Sequence, residues 1–417
     1  MTYMPDAHLA AITPREVYAT AQNVIWGAGA GSGNANQPTG ITGRFSFKTA
    51  ITGSMFRLRL PGWTYTGGNA ETALTQSITY KAALITLADS QWFQLSFGGA
   101  RSLVTDPWCQ AVTDPLGLHL PKGTLCTIRL SIVTASSAGS WPQGSGQGGP
   151  GVDISNDGYA YGDLVDSGTF TTLGNISLWA PVITCVPSSW PAQSWCAIGD
   201  SVTIGQGDDG QFRSSWFTRA LNQGGPGMRI AATSDTAQQY ALNHRSRALR
   251  YAEFATHAVV LLGSNDIYNV GRTAVQTQTD LVNGVYIPLW RAGKTVVACT
   301  LKPRNTSTDS WATLANQTVA AQEPIRLAFN AWIRDGLPID STTLQPVATG
   351  TVGALRSGQA GHPVSRWIDT ASFVESSPNS GKWIVNGSAN YATADGMHPT
   401  PAGAQILSAA LITIPAS

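Results

Sequence analysis

After residue 194 the chain settles into one rhythm. Short, mostly apolar runs at 195–198 (Trp-Cys-Ala-Ile), 228–232 (Met-Arg-Ile-Ala-Ala), 258–263 (Ala-Val-Val-Leu-Leu-Gly) and 295–301 (Thr-Val-Val-Ala-Cys-Thr-Leu) alternate with helix-like segments at 212–222, 236–254, 274–292 and 317–335. A last short strand is expected at 366–369 and a closing helix at 401–411. Runs this short without polar alternation read as strands buried on both faces. Strands joined by helices return in the same direction, so the expected architecture is α/β, a parallel sheet covered by helices on both faces. Function is constrained too, because open sheets of this kind hold their ligands beyond the carboxyl ends of the strands.

The first half has another texture. Residues 44–48 and 55–60 alternate apolar and polar side chains, and 78–87, 92–97, 125–133 and 177–186 are further strand candidates separated by Gly, Pro and Asp clusters. Many short strands at this spacing indicate an all-β sandwich or jelly roll. Before them, 12–18 reads as a short helix and 27–40 as a Gly/Ala/Asn-rich loop; 136–151 is a Gly/Ser-rich excursion. A chain of 417 residues has room for two domains, expected at 1–190 and 191–417. The join at 187–191 (Pro-Ser-Ser-Trp-Pro) is short and stiffened by two prolines, and its Trp190 favours burial, so the two parts are expected to share an interface. The stretch 336–393 is long for a connection and is expected to wall a cleft.

Composition removes several classes of function. Charged residues make up 12% and the net charge is +1, which argues against a nucleic-acid surface. No apolar run approaches the ~18 residues of a membrane span. The first residues lack the basic and apolar regions of a signal peptide, so the expectation is either no export by that route or a leader already removed. Composition otherwise favours an extracellular or virion-associated setting. The cysteines, 109, 126, 185, 196 and 299, show no metal-ligand spacing; Cys109 and Cys126 are the candidates for a bridge.

Three loops carry the chemistry. Gly199-Asp200-Ser201 follows the first buried run, Gly263-Ser264-Asn265-Asp266 follows the third, and Asp395-Gly396-Met397-His398-Pro399 precedes the closing helix. A hydroxyl, a carboxamide and an Asp-x-x-His pair supply a nucleophile, an oxyanion donor and an acid–base pair. Ser201 needs an adjacent base, and His398 is the candidate; Pro399 keeps the backbone at 398 extended. Asp395 would accept the other imidazole N–H. Singly, each block is an ordinary loop; the weight lies in their conjunction. Asp200 is expected to bond its own turn and Asp266 the neighbouring loop backbone. Asp208 and Asp209 read as solvated acids, and His362 as the one competing histidine, a substrate contact.

These blocks, in this order and spacing, resemble those of the SGNH (GDSL-type) hydrolases. The resemblance implies a flavodoxin-like α/β/α catalytic domain with Ser201 as nucleophile, His398 as base and Asp395 as its partner. It implies an oxyanion hole made of the Ser201 backbone N–H, the Asn265 side chain and a donor from a further block. That block normally offers a Gly; here the matching stretch 232–236 reads Ala-Thr-Ser-Asp-Thr, with Ser234 the nearest equivalent and Asp235 the alternative. No metal or organic cofactor is implied. Some members carry an N-terminal β-sandwich, and Phe56-Arg57-Leu58, Phe97-Gly98-Gly99, Thr113-Asp114-Pro115 and 125–133 are similar to its landmarks.

The expected function is therefore hydrolysis of carboxylic esters by way of an acyl-enzyme. Members of the resembled family act on acetyl esters of polysaccharides, on lipids and on small acyl esters. With 14 Trp and little charge, the composition tilts the substrate toward O-acetyl groups on carbohydrate. The competing classes are a carbohydrate-binding or virion surface adhesion protein with a decayed hydrolase domain, and a lipase or general carboxylesterase. A lipase should show an exposed apolar lid, and no amphipathic lid helix is legible in 336–393.

Overall fold

The computed structural model describes residues 16–412 apart from 22, 27–29, 33–39, 65–67, 136–139, 143–156, 171, 174–180, 191, 210–213 and 222–224. Its second half is built on a parallel sheet. Taken in chain order, Trp195–Gly199, Gly227–Ala231, His257–Leu261, Thr295–Cys299 and Arg366–Ile368 lie side by side as 2-1-3-4-5, all parallel. That is the flavodoxin-like order, whose switch point falls beside the first strand. Every residue of the first two strands is buried, which explains their unbroken apolar runs. Arg229 is the exception, and its guanidinium reaches the Ile204 carbonyl.

The sheet has a sixth strand from an unexpected source. Asn23–Trp26 pairs parallel with Gly227–Ala231 at the sheet edge. The expected division at 190 therefore does not hold for these residues, which lie far ahead of that boundary yet complete the parallel sheet. A run of four residues is too short to carry a parallel-sheet signal of its own.

Several elements differ from expectation. Val17–Tyr18 is a strand paired with Thr184 and Cys185, not part of a helix, and 12–15 lie outside the described residues. Within 27–40, Ala30–Ser32 pairs with Ser140–Pro142; the rest of the excursion at 136–151 lies outside the described residues. The helix expected over 236–254 is broken into Ala237–Ala241, Ser246–Arg250 and a tight turn Tyr251–Phe254, with Asn243 at φ 60° at the first break. Asn accepts the left-handed region more readily than other residues with a Cβ. Within 317–335, Gln317–Val319 pairs with Asn305–Ser307, and the helix begins only at Glu323, with Pro324 in its first turn.

Among the described residues, the first half forms two larger antiparallel sheets beside the two-stranded pairs. Gly53–Pro61 and Val182–Pro187 are central in one; Gly40–Lys48, Ile78–Thr86 and Leu125–Thr134 are central in the other. Their inward residues, among them Phe45, Phe56, Leu58, Ile128, Leu130 and Ile183, merge into one apolar core. All five cysteines are free thiols; Cys109 is exposed and Cys126 buried, so the candidate bridge is not formed.

The two halves share an interface. Tyr18, Trp63 and Val182 belong to the same apolar cluster as Ile198 and Tyr251. The Tyr18 hydroxyl donates to the Tyr251 carbonyl at 2.5 Å. Glu71, on the hairpin made by Trp63–Thr64 and Thr72–Ala73, accepts from the backbone N–H groups of Arg247 (3.1 Å) and Ala248 (2.8 Å). It thereby satisfies first-turn donors of the helix Ser246–Arg250. Among the described residues, no helix is long and apolar enough to cross a membrane.

Candidate functional site

The first strand ends in Gly199, and the chain turns at once into a short helix, Ser201–Ile204. Asp200 caps it: its Oδ1 accepts from the Val202 N–H at 3.0 Å. Gly199 is needed for room, since a Cβ there would strike the Thr203 side chain and the Leu261 carbonyl. Gly205 is needed for conformation; it ends the helix at φ 107°. This places the Ser201 hydroxyl at the carboxyl edge of the sheet, with its backbone N–H at the first helical position, where no intrahelical acceptor exists.

His398 meets it from the other end of the chain, with Nε2 2.9 Å from Ser201 Oγ. Its Nδ1 is 2.6 Å from Asp395 Oδ2. The loop folds on itself to hold this pair. Asp395 Oδ1 accepts from the backbone N–H of Met397 (2.8 Å) and His398 (2.7 Å), and Thr393 Oγ1 donates to the His398 carbonyl at 2.8 Å. Burial alone would raise the Asp395 carboxyl, but hydrogen bonds from the His398 ring and from these backbone groups hold it well below the usual carboxylate range. An ionised Asp395 can only accept, so Nδ1 carries the proton and Nε2 is left to accept from the Ser201 hydroxyl.

Asn265, 5% exposed, lies just past the strand His257–Leu261 and reaches the turn before Ser201 at Asp200. Its Nδ2 donates to the Asp235 carbonyl at 3.0 Å, with a longer 3.4 Å contact to Asp200 Oδ2. Asp266 turns away and caps the helix Ala237–Ala241 through Ala237 N–H (2.8 Å) and Gln238 N–H (3.0 Å). Burial pushes its carboxyl up to about 6.

The turn bearing Ser234 is tied to Asn265 through the next residue. Ser234 itself is exposed and sits at φ 63°, the left-handed region that glycine occupies freely. Asp235 points its carboxylate away from Asn265, into a fully buried ion pair with Arg245. Arg245 Nη1 in turn donates to the Asn69 carbonyl at 2.5 Å, so the hairpin from the first half braces this turn.

Other candidates fall elsewhere. Both ring nitrogens of His362 are engaged by backbone at Val364 and Leu337, so it is a structural histidine and not a substrate contact. Asp208 is not a solvated acid; its buried carboxylate pairs with Arg219. The long stretch 336–393 supports the site: the Trp383 indole donates at 3.0 Å to the carbonyl of Gly396, within the Asp395–His398 loop. A cavity of about 260 Å³ opens beside Asp395, between Met397, Arg304 and the hairpin residues Thr306 and Thr318.

Sequence reasoning did not single out Arg245, Trp383 or Lys302. Lys302 is buried near Asp200 and Asp395; burial pushes its ammonium down to about 8, against the pull of the Asp200 carboxylate. No spacing rule marks such residues, because each meets its partner only through the fold.

No protein-family model matches the chain, and no curated protein matches it. Solved structures similar to it include a salicylyl-acyltransferase from a tetracycline biosynthetic pathway, 13% identical over 85% of this chain and 79% of that one, with a TM-score of 0.34. Protein YXIM of Bacillus subtilis is 11% identical over 93% of this chain and 96% of its own, with a TM-score of 0.36. A GDSL-like lipase from Bacteroides thetaiotaomicron is 13% identical over 52% of this chain and 85% of its own, with a TM-score of 0.35. Likeness at that level transfers no residue role to this chain.

Proposed function

We propose that the protein is a serine ester hydrolase of the SGNH type, acting on short-chain acyl esters such as O-acetyl groups on carbohydrate. The observation that carries this reading is the hydrogen-bonded chain Ser201–His398–Asp395, with contacts of 2.9 and 2.6 Å between groups that lie 197 and 3 residues apart. Ser201 Oγ attacks the acyl carbonyl while His398 Nε2 takes its proton. Asp395 steadies the resulting imidazolium. The oxyanion is met by the Ser201 backbone N–H, the second N–H of Asn265 and a backbone N–H of the turn at Ser234; each such donor typically contributes about 2.7–4 kcal/mol to lowering the barrier. The alcohol departs with the proton held by His398. Water, deprotonated by the same imidazole, then releases the acid.

The test is turnover of aryl esters from acetate to octanoate, together with acetate release from acetylated polysaccharides. The expected result is fastest turnover at the short end, acetate release from polymer, and loss of both in Ser201→Ala. Preference for octanoate would point to a lipid substrate, and full activity in Ser201→Ala would remove the mechanism.

A further inference from the structure

We infer that Asn269 and Arg304 are positioning residues that fix which way round the Asn265 carboxamide faces; this rests on the proposed role of Asn265 as an oxyanion donor. Asn265 and Asn269 are four residues apart, and the wide helical turn Asp266–Val270 brings their side chains together. Asn269 Nδ2 donates to Asn265 Oδ1 at 2.9 Å. Arg304, just past the next strand, donates through Nη1 to Asn269 Oδ1 at 2.8 Å. Its guanidinium also lies over the Tyr268 ring, 5.2 Å from the centroid.

The direction of this relay is forced at both ends. A carboxamide can be turned over, exchanging its donor and acceptor ends, at little intrinsic cost. A guanidinium only donates, and a backbone carbonyl only accepts. Arg304 therefore requires Asn269 to present Oδ1 to it, which leaves Nδ2 for Asn265. Asn265 must then offer Oδ1 to Asn269 and Nδ2 to the Asp235 carbonyl, 3.0 Å away. Turning Asn265 over would set oxygen against the Asp235 oxygen and nitrogen against the Asn269 nitrogen. One N–H of Asn265 is spent on Asp235; the relay keeps the amide nitrogen turned toward Asp200, the residue before Ser201, whose Oδ2 it meets only at a long 3.4 Å. Without it, only the Asp235 carbonyl and the Asp200 carboxylate oppose the turned-over amide, whose oxygen would face the developing negative charge.

The variants that test this are Asn269→Asp, nearly the same shape but unable to donate to Asn265, and Arg304→Ala beside Arg304→Lys, which keeps a donor-only cation. With aryl acetate, Asn269→Asp and Arg304→Ala should lower kcat about tenfold or more with KM changed little, Arg304→Lys should recover part of the loss, and neither change should lower kcat further in an Asn265→Ala background. Equal losses in both backgrounds, or a rise in KM alone, would mean that these residues support the fold or bind substrate, and would overturn the inference. A readout independent of turnover is the side-chain amide resonance pair of Asn265 in the full chain, identified by its loss in Asn265→Ala. It should shift and exchange faster with water in Asn269→Asp; an unchanged pair would overturn the relay even with activity intact. Should Asn265→Ala itself leave kcat unaltered while the resonances respond, the oxyanion reading fails and the relay stands.

Discussion

Asp395 and His398 are held mostly by their own loop, which bonds to itself through Thr393 and through the backbone N–H groups that Asp395 accepts. Asn265 has local support only from Asn269. Its carboxamide is held at one end by Asp235, itself braced by Arg245 and the Asn69 carbonyl, and at the other by Asn269 and Arg304. The acid–base side of the site is thus a short piece of sequence, whereas the oxyanion side is assembled from separate segments, one of them in the antiparallel half. Damage to the first should be chemical and sharp. Damage to the second should mix chemistry with stability.

The largest effect is expected on the acid–base side. Ser201→Ala and His398→Ala should each lower kcat for aryl acetate by about 10⁴-fold or more, and the double variant should be little worse than either, because the groups act as a unit. Their melting temperatures should stay near that of the unaltered protein. Multiplicative losses in the double variant would break the comparison at its clearer end.

Next comes Arg245→Met. Removing one partner of a buried ion pair leaves an uncompensated charge and costs about 3–5 kcal/mol. Burial already pushes the Asp235 carboxyl up to about 7 against the pull of Arg245, so the unpaired group will hold a proton at neutral pH and soften that cost. Denaturant unfolding should show the loss, and kcat should fall with it because Asp235 no longer steadies Asn265. A destabilised variant with unchanged kcat would uncouple the hairpin from the site.

Legibility in the sequence follows the same divide. Trp195–Gly199 and His257–Leu261 are buried on both faces, so their positions and the loops that follow them could be read as a pattern. Asp395 and His398 were legible because three residues separate them. Asn23–Trp26 was not, since an edge strand of four residues takes its direction from the sheet it joins. Arg245 and Trp383 were not, because their partners lie 10 or more residues away and are selected by the fold. Asn243 and Gln317–Val319 show the ordinary limit of helical periodicity: apolar spacing continues across a break that backbone geometry imposes.

A smaller effect separates the two sides by pH. The carboxyl of Asp395 is depressed in the folded protein, so the stability it contributes is present above its unfolded value, about pH 3.9, and is lost as pH falls through the folded value. Asp395→Asn lacks that contribution. The stability gap between the two proteins, measured by denaturant unfolding, should close as pH falls below about 4. A gap that widens below about pH 4 would reverse the sign and refute the assignment of Asp395 as the ionised partner.

The smallest effect belongs to Ser234. A residue with a Cβ in the left-handed region costs about 1–2 kcal/mol that glycine does not incur. Ser234→Gly should therefore retain full kcat and melt no lower than the unaltered protein, and Ser234→Val should lose on both counts. Loss of activity in Ser234→Gly would show that the hydroxyl, and not the backbone N–H, serves the site.

The central claim is that Ser201 is a nucleophile activated by His398, and covalent capture tests it most directly. The full chain is treated with an aryl fluorophosphonate, its intact mass is measured, and the modified peptide is mapped. The expected result is one adduct per chain on the peptide bearing Ser201, absent in Ser201→Ala and much slower to form in His398→Ala. An adduct on another residue, or none on a protein shown to be folded, would contradict the account.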